Sequence, residues 1–313
     1  MDLKDILLYG SLPVWNTIFS LVSKSTLSEI DAKSYTSVVL LITAALSLIY
    51  NYISGTETKI NAFSVLAGCA FGIGTLLFEE AVHIASNPGI INGVYRSQAA
   101  LTAIVSVFIL GSKLSYVSMF GILITIAGAF IIGMHKRKPL KENYEPCIIE
   151  ERPDVDKEDK VAKNTSNRTW LPLVLIAGLF STIKDISGVY STRGGKMKPS
   201  SFVFSQCFFG ALMVFIYQYI TTGQMLPVLR KGGNWRDAIV GMTAAGFDNF
   251  IWCGVLIYLM TNASNPAYPK AVTMLGIPLT AFVSPLVFHK PFPDTVQLAG
   301  IAAVVTGIGM LAA

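Results

Sequence analysis

Apolar residues in this chain come in runs rather than in alternation. Each run is about 20 residues, the length a helix needs to cross the hydrocarbon core of a bilayer. Ten such spans are expected, at roughly 6–23, 35–53, 62–84, 88–110, 114–134, 170–191, 200–221, 236–260, 266–288 and 295–313. The polar punctuation is brief: "SNPG" parts the third span from the fourth, and "GSKLS" the fourth from the fifth. Turns this tight make successive spans antiparallel neighbours. The ten-residue alternating segments of an outer-membrane barrel are absent. The expected fold is therefore all-α and integral to a membrane, multi-pass, with the lipid bilayer as its surroundings. The first span, Ile6 to Ser23, holds Pro13, Trp15 and Asn16 and is followed by no small-residue cleavage site, so it is expected to stay in the protein.

One connection is long. "HKRKPLKENYEPCIIEERPDVDKEDKVAKNTSNRT" mixes nine basic with eight acidic residues and carries no helical apolar stripe. It reads as a charged flexible linker, 135–169. Five spans lie on each side of it, in 1–134 and 170–313, and the two sets resemble each other. A shift of 178 positions lays Ala85-Ser86-Asn87-Pro88 on Ala263-Ser264-Asn265-Pro266, Leu101-Thr102-Ala103 on Leu279-Thr280-Ala281, and Val105-Ser106 on Val283-Ser284. Small gaps then bring Lys113 onto Lys290, Gly121 onto Gly300 and Gly128 onto Gly307. A unit with an odd number of crossings, repeated in tandem, re-enters the membrane from the opposite side. Ten transmembrane helices as two inverted five-helix repeats is an architecture recurrent in secondary transporters.

The stretch "NPGIINGVYRSQAALTAIVSVFILGSKLSYVSMFGILITIAGAFIIG" resembles the second part of an EamA-type repeat of the drug/metabolite transporter superfamily. Such repeats have an apolar helix, a short turn usually written Leu-Gly-Glu-Arg-hydrophobic, and a helix with two spaced glycines. Here the turn is Leu110-Gly111-Ser112-Lys113-Leu114, with Ser112 in place of the usual Glu, and the second copy, Phe288-His289-Lys290-Pro291, departs further. The resemblance implies a ten-helix transporter fold and transport by alternating access. Through the plastid phosphate translocators, which look like distant relatives, it also implies that cations on the central helices can meet a phosphate- or carboxylate-bearing metabolite.

Composition narrows the chemistry. Charged residues make up 14% of the chain, against about a quarter in a soluble domain. Those inside spans are few: Glu79, Glu80 and His83 in the third; Arg96 in the fourth; Lys184 and Asp185 in the sixth; Asp248 in the eighth; Lys270 in the ninth. A charge at the centre of a lone helix costs at least about 2.5–3.5 kcal/mol on insertion scales, so such groups face the bundle interior or a wet cavity. Arg96 stands about 12 Å into its span from Pro88 at the 1.5 Å helical rise, and Asn92 lies one turn earlier on the same face. In the 178-residue register Lys270 falls on Asn92 and Arg96 on Met274, giving each central span one cation. Lys184-Asp185 falls on Asn16-Thr17 when Gly178 is laid on Gly10.

Two readings stand side by side. The cations are static buried pairs, Arg96 with Glu79 or Glu80 and Lys270 with Asp248, or at least one of them meets an anionic group of a substrate. Candidate substrate-binding residues are Arg96, Lys270, Asn92, Glu79, Asp248, Lys184, Asp185, Asn16 and Trp15. A carboxylate of the Glu79–Glu80 pair is also a candidate carrier for a coupling proton, or else a counter-ion for Arg96 or an interfacial acid. Tyr95, Trp252 and Tyr268 are candidate packing partners for a substrate, although aromatic residues in such spans more often pack or form belts. Gly68 and Gly72, Gly121 and Gly128, and Gly300 and Gly307 suit close helix approach. The last two pairs make the fifth and tenth spans scaffold helices and a candidate homodimer face. Pro13, Pro269, Pro278 and Pro285 are expected to interrupt helices.

Other classes find little support. Cys69, Cys147, Cys207 and Cys253 form neither a CxxC pair nor a metal set, so no disulfide framework, metal or cofactor is expected. "STRGGKMKPS" lacks phosphate-loop spacing, and no HExxH or GxSxG occurs, so no enzyme is expected. The net charge of +5 sits mostly in loops without a basic, aromatic-interleaved stripe, so no nucleic-acid partner is expected. The expected function is a secondary transporter of a small polar metabolite: an amino acid, organic anion or phosphorylated metabolite. The alternative is a non-transporting membrane scaffold or lipid-handling protein.

Overall fold

A computed structural model describes residues 3–84, 88–134, 169–224, 226–288 and 292–312. The linker, Cys147, Lys290 and Ala85-Ser86-Asn87 of the first "ASNP" lie outside the described residues. Twelve α-helices are described: α1 Leu3–Thr26, α2 Ala32–Ile53, α3 Ala62–Ile84, α4 Pro88–Arg96, α5 Gln98–Leu110, α6 Tyr116–Met134, α7 Trp170–Thr192, α8 Pro199–Thr222, α9 Trp235–Asn262, α10 Ala267–Thr273, α11 Gly276–Phe288 and α12 Thr295–Ala312. Among the described residues there is no strand, only an isolated bridge between Ile30 and Leu229. Eight helical segments, counting α4–α5 and α10–α11 as one span each, are long and apolar enough to cross a membrane. Two shorter apolar helices, over Tyr116–Ile132 and Thr295–Met310, fall where the fifth and tenth spans are expected. In lipid every backbone donor and acceptor must be satisfied within the protein, which is why these runs become helices.

Local chemistry sets several helix ends. Asp31 caps α2, its carboxylate accepting from the Lys33 and Ser34 amides at 2.9 and 3.1 Å. Asn61 and Ser64 cap the start of α3 reciprocally, the Ser64 amide donating to Asn61 Oδ1 at 2.8 Å and the Asn61 amide to Ser64 Oγ at 3.1 Å. Gly111 and Gly223 end α5 and α8 with φ of 64° and 69°, a left-handed conformation that a residue with a Cβ adopts at a cost.

The fourth and ninth spans are each broken in the middle. The break between α4 and α5 falls at Ser97, whose amide donates to the Val94 carbonyl at 3.2 Å and whose hydroxyl donates to the same oxygen at 2.7 Å. The break between α10 and α11 falls at Met274 and Leu275, whose amides reach back three residues to Ala271 and Val272 at 3.1 Å. Proline accounts for one of these breaks. Ser97 has none beside it, but Pro278 has no N–H to donate to the Met274 carbonyl four residues back, and that oxygen accepts from the Ile277 amide at 2.8 Å instead. Pro269 sits in the first turn of α10, where a missing N–H costs no helical bond. Pro13 and Pro285 lie inside α1 and α11, which continue through them.

Helix α3 packs on α7 and α8, and α9 packs on α1 and α2. Helix α2 lies against α8, and α6 against α12. Of the half-helices, α5 lies on α7, α11 on α1, α4 on α11 and α10 on α5. Glycine makes two of these approaches possible. A Cβ on Gly72 would stand 2.5 Å from the Gly210 carbonyl oxygen, and one on Gly307 would stand 2.5 Å from that of Gly121. The glycines of the fifth and tenth spans therefore join α6 to α12 within the chain.

Candidate functional site

Both cations of the broken spans lie in the last turn of the first half-helix, Arg96 on α4 and Lys270 on α10. A helix C-terminus favours a positive charge by about 0.3–1 kcal/mol, so each break eases the placing of a cation inside the bundle. Arg96 is 5% exposed and Lys270 1%.

Their partners differ from either expected pairing. Arg96 meets neither Glu79 nor Glu80. Its Nε donates to Asn92 Oδ1 at 3.3 Å, and its Nη2 donates to Asn16 Oδ1. Asn92 is held in turn, its amide donating to Ser20 Oγ at 2.7 Å. The guanidinium carbon lies 5.3 Å from the Tyr95 ring and 5.1 Å from the Trp252 ring. Among the described residues Arg96 has no salt-bridging carboxylate, and its Nη1 is buried without a partner.

Lys270 pairs with Asp185 rather than Asp248. Asp185 is also 2.9 Å from Lys184 Nζ. Lys270 further donates to Ser181 Oγ at 3.1 Å, and with its amide oriented to satisfy both ends, Gln98 accepts from Lys270 at 3.0 Å. One carboxylate thus stands between two ammonium groups, because α7 presents Lys184 and Asp185 in succession while α10 brings Lys270 against it.

A cavity opens beside these groups, with about 460 Å³ of open space including its mouth. Arg96, Lys184 and Asn16 line it. Asn92 lies behind Arg96 and orients it, while Lys270 and Asp185 lie behind Lys184. Glu79 stands elsewhere, 3.4 Å from Ser23 Oγ, which in turn lies 2.6 Å from the Tyr35 hydroxyl. Asp248 is buried, and among the described residues neither of its oxygens has a hydrogen-bond partner. Trp15 is half-buried and does not line the cavity. The candidate residues therefore divide: six gather at the cavity or directly behind it, and Glu79, Asp248 and Trp15 do not.

Of the aromatic candidates Tyr95 and Trp252 line the cavity and Tyr268 does not. The cavity also holds residues that the sequence reading did not mark: Phe71, Thr75 and Phe78 from α3, Phe19 from α1 and Asn249 from α9. On α3 the three share one face at spacings of four and three. Asn249 bonds Thr43 Oγ1 at 3.1 Å, tying α9 to α2.

No known family profile matches the chain, and no curated protein matches it in sequence. Chains of solved structure do match its fold. One protein crystal structure matches over 98% of this chain and 97% of its own, at a TM-score of 0.66 and 14% sequence identity. That likeness is one of fold alone.

Proposed function

We propose that this chain is a secondary transporter that moves a small polar metabolite by alternating access, built as two inverted five-helix repeats of EamA type around the cavity. The observation that carries this reading is a buried guanidinium without an acidic partner, lining a cavity to which both sets of five spans contribute. A cation removed from water without a counter-charge is strongly unfavourable, so a site of this kind is suited to an anion that comes and goes. Arg96 and Lys184 line it with Lys270 behind Lys184, and Asp185 is their one salt-bridging carboxylate among the described residues.

The repeat reading draws support from the helix breaks. Moved by 178 positions, α4 and α5 fall on 266–274 and 276–288, and the second half-helix is Gly276–Phe288. The packing pairs support it as well. Exchanging the first six helices for the last six turns α3 on α7 into α9 on α1, α3 on α8 into α9 on α2, and α4 on α11 into α10 on α5, and each of these contacts occurs. Matched hydroxyl contacts cross between the halves. Thr102 meets Thr182 at 3.4 Å, and its counterpart Thr280 meets Thr17 at 3.3 Å.

The test is uptake and exchange by the purified full chain in proteoliposomes, with and without a pH gradient, across amino acids, organic acids and phosphorylated metabolites. Saturable movement of an anionic solute is expected, and Arg96→Gln should cut it at least about tenfold, since a hydrogen bond to a charged group is worth about 1.5–3 kcal/mol. A chain that moves none of them, and binds none in detergent, belongs with scaffold or lipid-handling proteins. Dependence on an inward proton gradient would make Glu79 and Asp248 the first carboxylates to substitute.

A further inference from the structure

The inference here rests on reading the cavity as a cargo site, and it concerns the shape and chemistry of the cargo. Ten side chains line the cavity, and five of them are aromatic. The chain as a whole is 11% aromatic, so rings are concentrated at this one place. Phe78 and Tyr95 lean on each other with centroids 4.5 Å apart and planes at 41°. Phe71 and Trp252 carry Lys184 Nζ at 5.0 and 5.7 Å from their ring centres. The walls are thus ring faces and the cations stand against them.

The polar atoms left over at these walls are of one kind. Asn16 Nδ2, Arg96 Nη1 and Trp252 Nε1 are all buried and lack hydrogen-bond partners among the described residues. Each is a donor on a cavity-lining side chain. Asn16 Oδ1 accepts from Arg96, which fixes the amide so that its Nδ2 stays free. The Arg96 guanidinium lies 5.1 Å from the Trp252 ring and bonds Asn16, so the side chains that carry the three donors are neighbours. An orphaned buried donor ordinarily costs about 1–3 kcal/mol, and three together call for an acceptor-rich group. A neutral apolar cargo would leave all three unmet, and a cationic one would meet Arg96 and Lys184.

We propose that the cavity takes a planar aromatic anion: its charged oxygens accept from Asn16 Nδ2, Arg96 Nη1 and Trp252 Nε1, and its ring lies against Phe71 and Phe78. The donors recognise charge and the rings recognise flatness, so each half of the recognition can be removed separately.

Binding to the full chain in detergent, followed by calorimetry and by tryptophan fluorescence, tests this without requiring transport. Benzoate, benzamide, cyclohexanecarboxylate, succinate and inorganic phosphate are the probes. Benzoate should bind at least about tenfold more tightly than each of the others, a difference of about 1.4 kcal/mol. Arg96→Gln should erase the preference for benzoate over benzamide, and Arg96→Lys should keep part of it. Phe78→Leu should erase the preference over cyclohexanecarboxylate, and Phe78→Tyr should keep it. The proposal is overturned if benzoate fails to bind, if phosphate, succinate, benzamide or cyclohexanecarboxylate binds equally well, or if the well-folded conservative variants behave like the leucine and glutamine ones. Movement of an aliphatic anion in proteoliposomes, with no aromatic preference in binding, sinks this inference and leaves the transporter standing. Selective benzoate binding in a chain that transports nothing does the reverse.

Discussion

Asp185 is the residue on which the buried charges turn. It lies 2.9 Å from Lys184 and pairs with Lys270, and all three side chains are nearly fully buried. Removing one partner of such a group leaves uncompensated charge and costs about 3–5 kcal/mol. Asp185→Ala should therefore lower the thermal midpoint in detergent sharply. The double variant Asp185→Asn with Lys270→Met removes a charge of each sign and should recover much of that loss. A double variant as unstable as the single one would show that packing, not charge, sets the effect. Arg96 makes the opposite case, since it lacks a carboxylate to strand. Arg96→Gln should shift the midpoint less than Asp185→Ala while affecting anion handling more. That split separates a cation that holds the fold from one that faces cargo.

At the scale of helices, the close approaches give the sharpest expectations. A Cβ at Gly307 would meet the Gly121 carbonyl oxygen at 2.5 Å and the Thr125 amide nitrogen at 2.6 Å, whereas one at Gly309, on the exposed face of α12, would meet nothing within 4 Å. Overpacking a tight contact typically costs about 1–3 kcal/mol. Gly307→Ala should lower the thermal midpoint accordingly, and Gly309→Ala should leave it unchanged or raise it slightly. Equal effects would mean that α6 and α12 do not cross at these glycines.

Element positions were the most legible part of the sequence, because lipid admits few alternatives to an apolar helix and run length marks each span. The breaks were less legible. Of the four prolines only Pro278 marks a break, four residues after Met274; the other break is marked by Ser97 bonding its own turn at Val94, and Arg96 and Lys270 sit at the half-helix ends. The ion pairs were read least well. Depth along a span can be counted from sequence, but which side chains meet cannot: α10 packs on α9, the helix of Asp248, yet Lys270 reaches Asp185 and Ser181 on α7. The aromatic wall was legible only in part: Tyr95 and Trp252 stand out beside charged or polar positions, whereas Phe71 and Phe78 look like any core stripe until the cavity brings them together with Arg96 and Trp252.

At the scale of the whole molecule, the packing pairs bear on how the cavity would open. Helices α1 and α7 each lie mainly on the third span and the second half-helix of the other half, α9 and α11 for α1, α3 and α5 for α7. On the proposed transporter reading, a rocking of one set against its counterpart would close the cavity toward one side as it opened toward the other. Most bonds to the cations would survive such a motion, because Arg96 is held by Asn16 and Asn92 from its own half and Lys270 by Asp185 and Ser181 from its own half, while the contacts of Gln98 to Lys270 and Trp252 to Arg96 cross between the halves. Thr75 is a suitable reporter, since it lines the cavity from α3 without bonding to the charged groups. With Cys69, Cys147, Cys207 and Cys253 replaced by serine or alanine, Thr75→Cys should react with a membrane-impermeant thiol reagent applied from either face of a sealed vesicle, and transported solute should slow labelling from both faces. The ratio of the two labelling rates should change when solute is present on one side only, since loading then draws the population toward the opposite opening. Labelling confined to one face under every condition would describe a pocket with a single entrance, and alternating access would have to be abandoned even if the pocket still bound its anion.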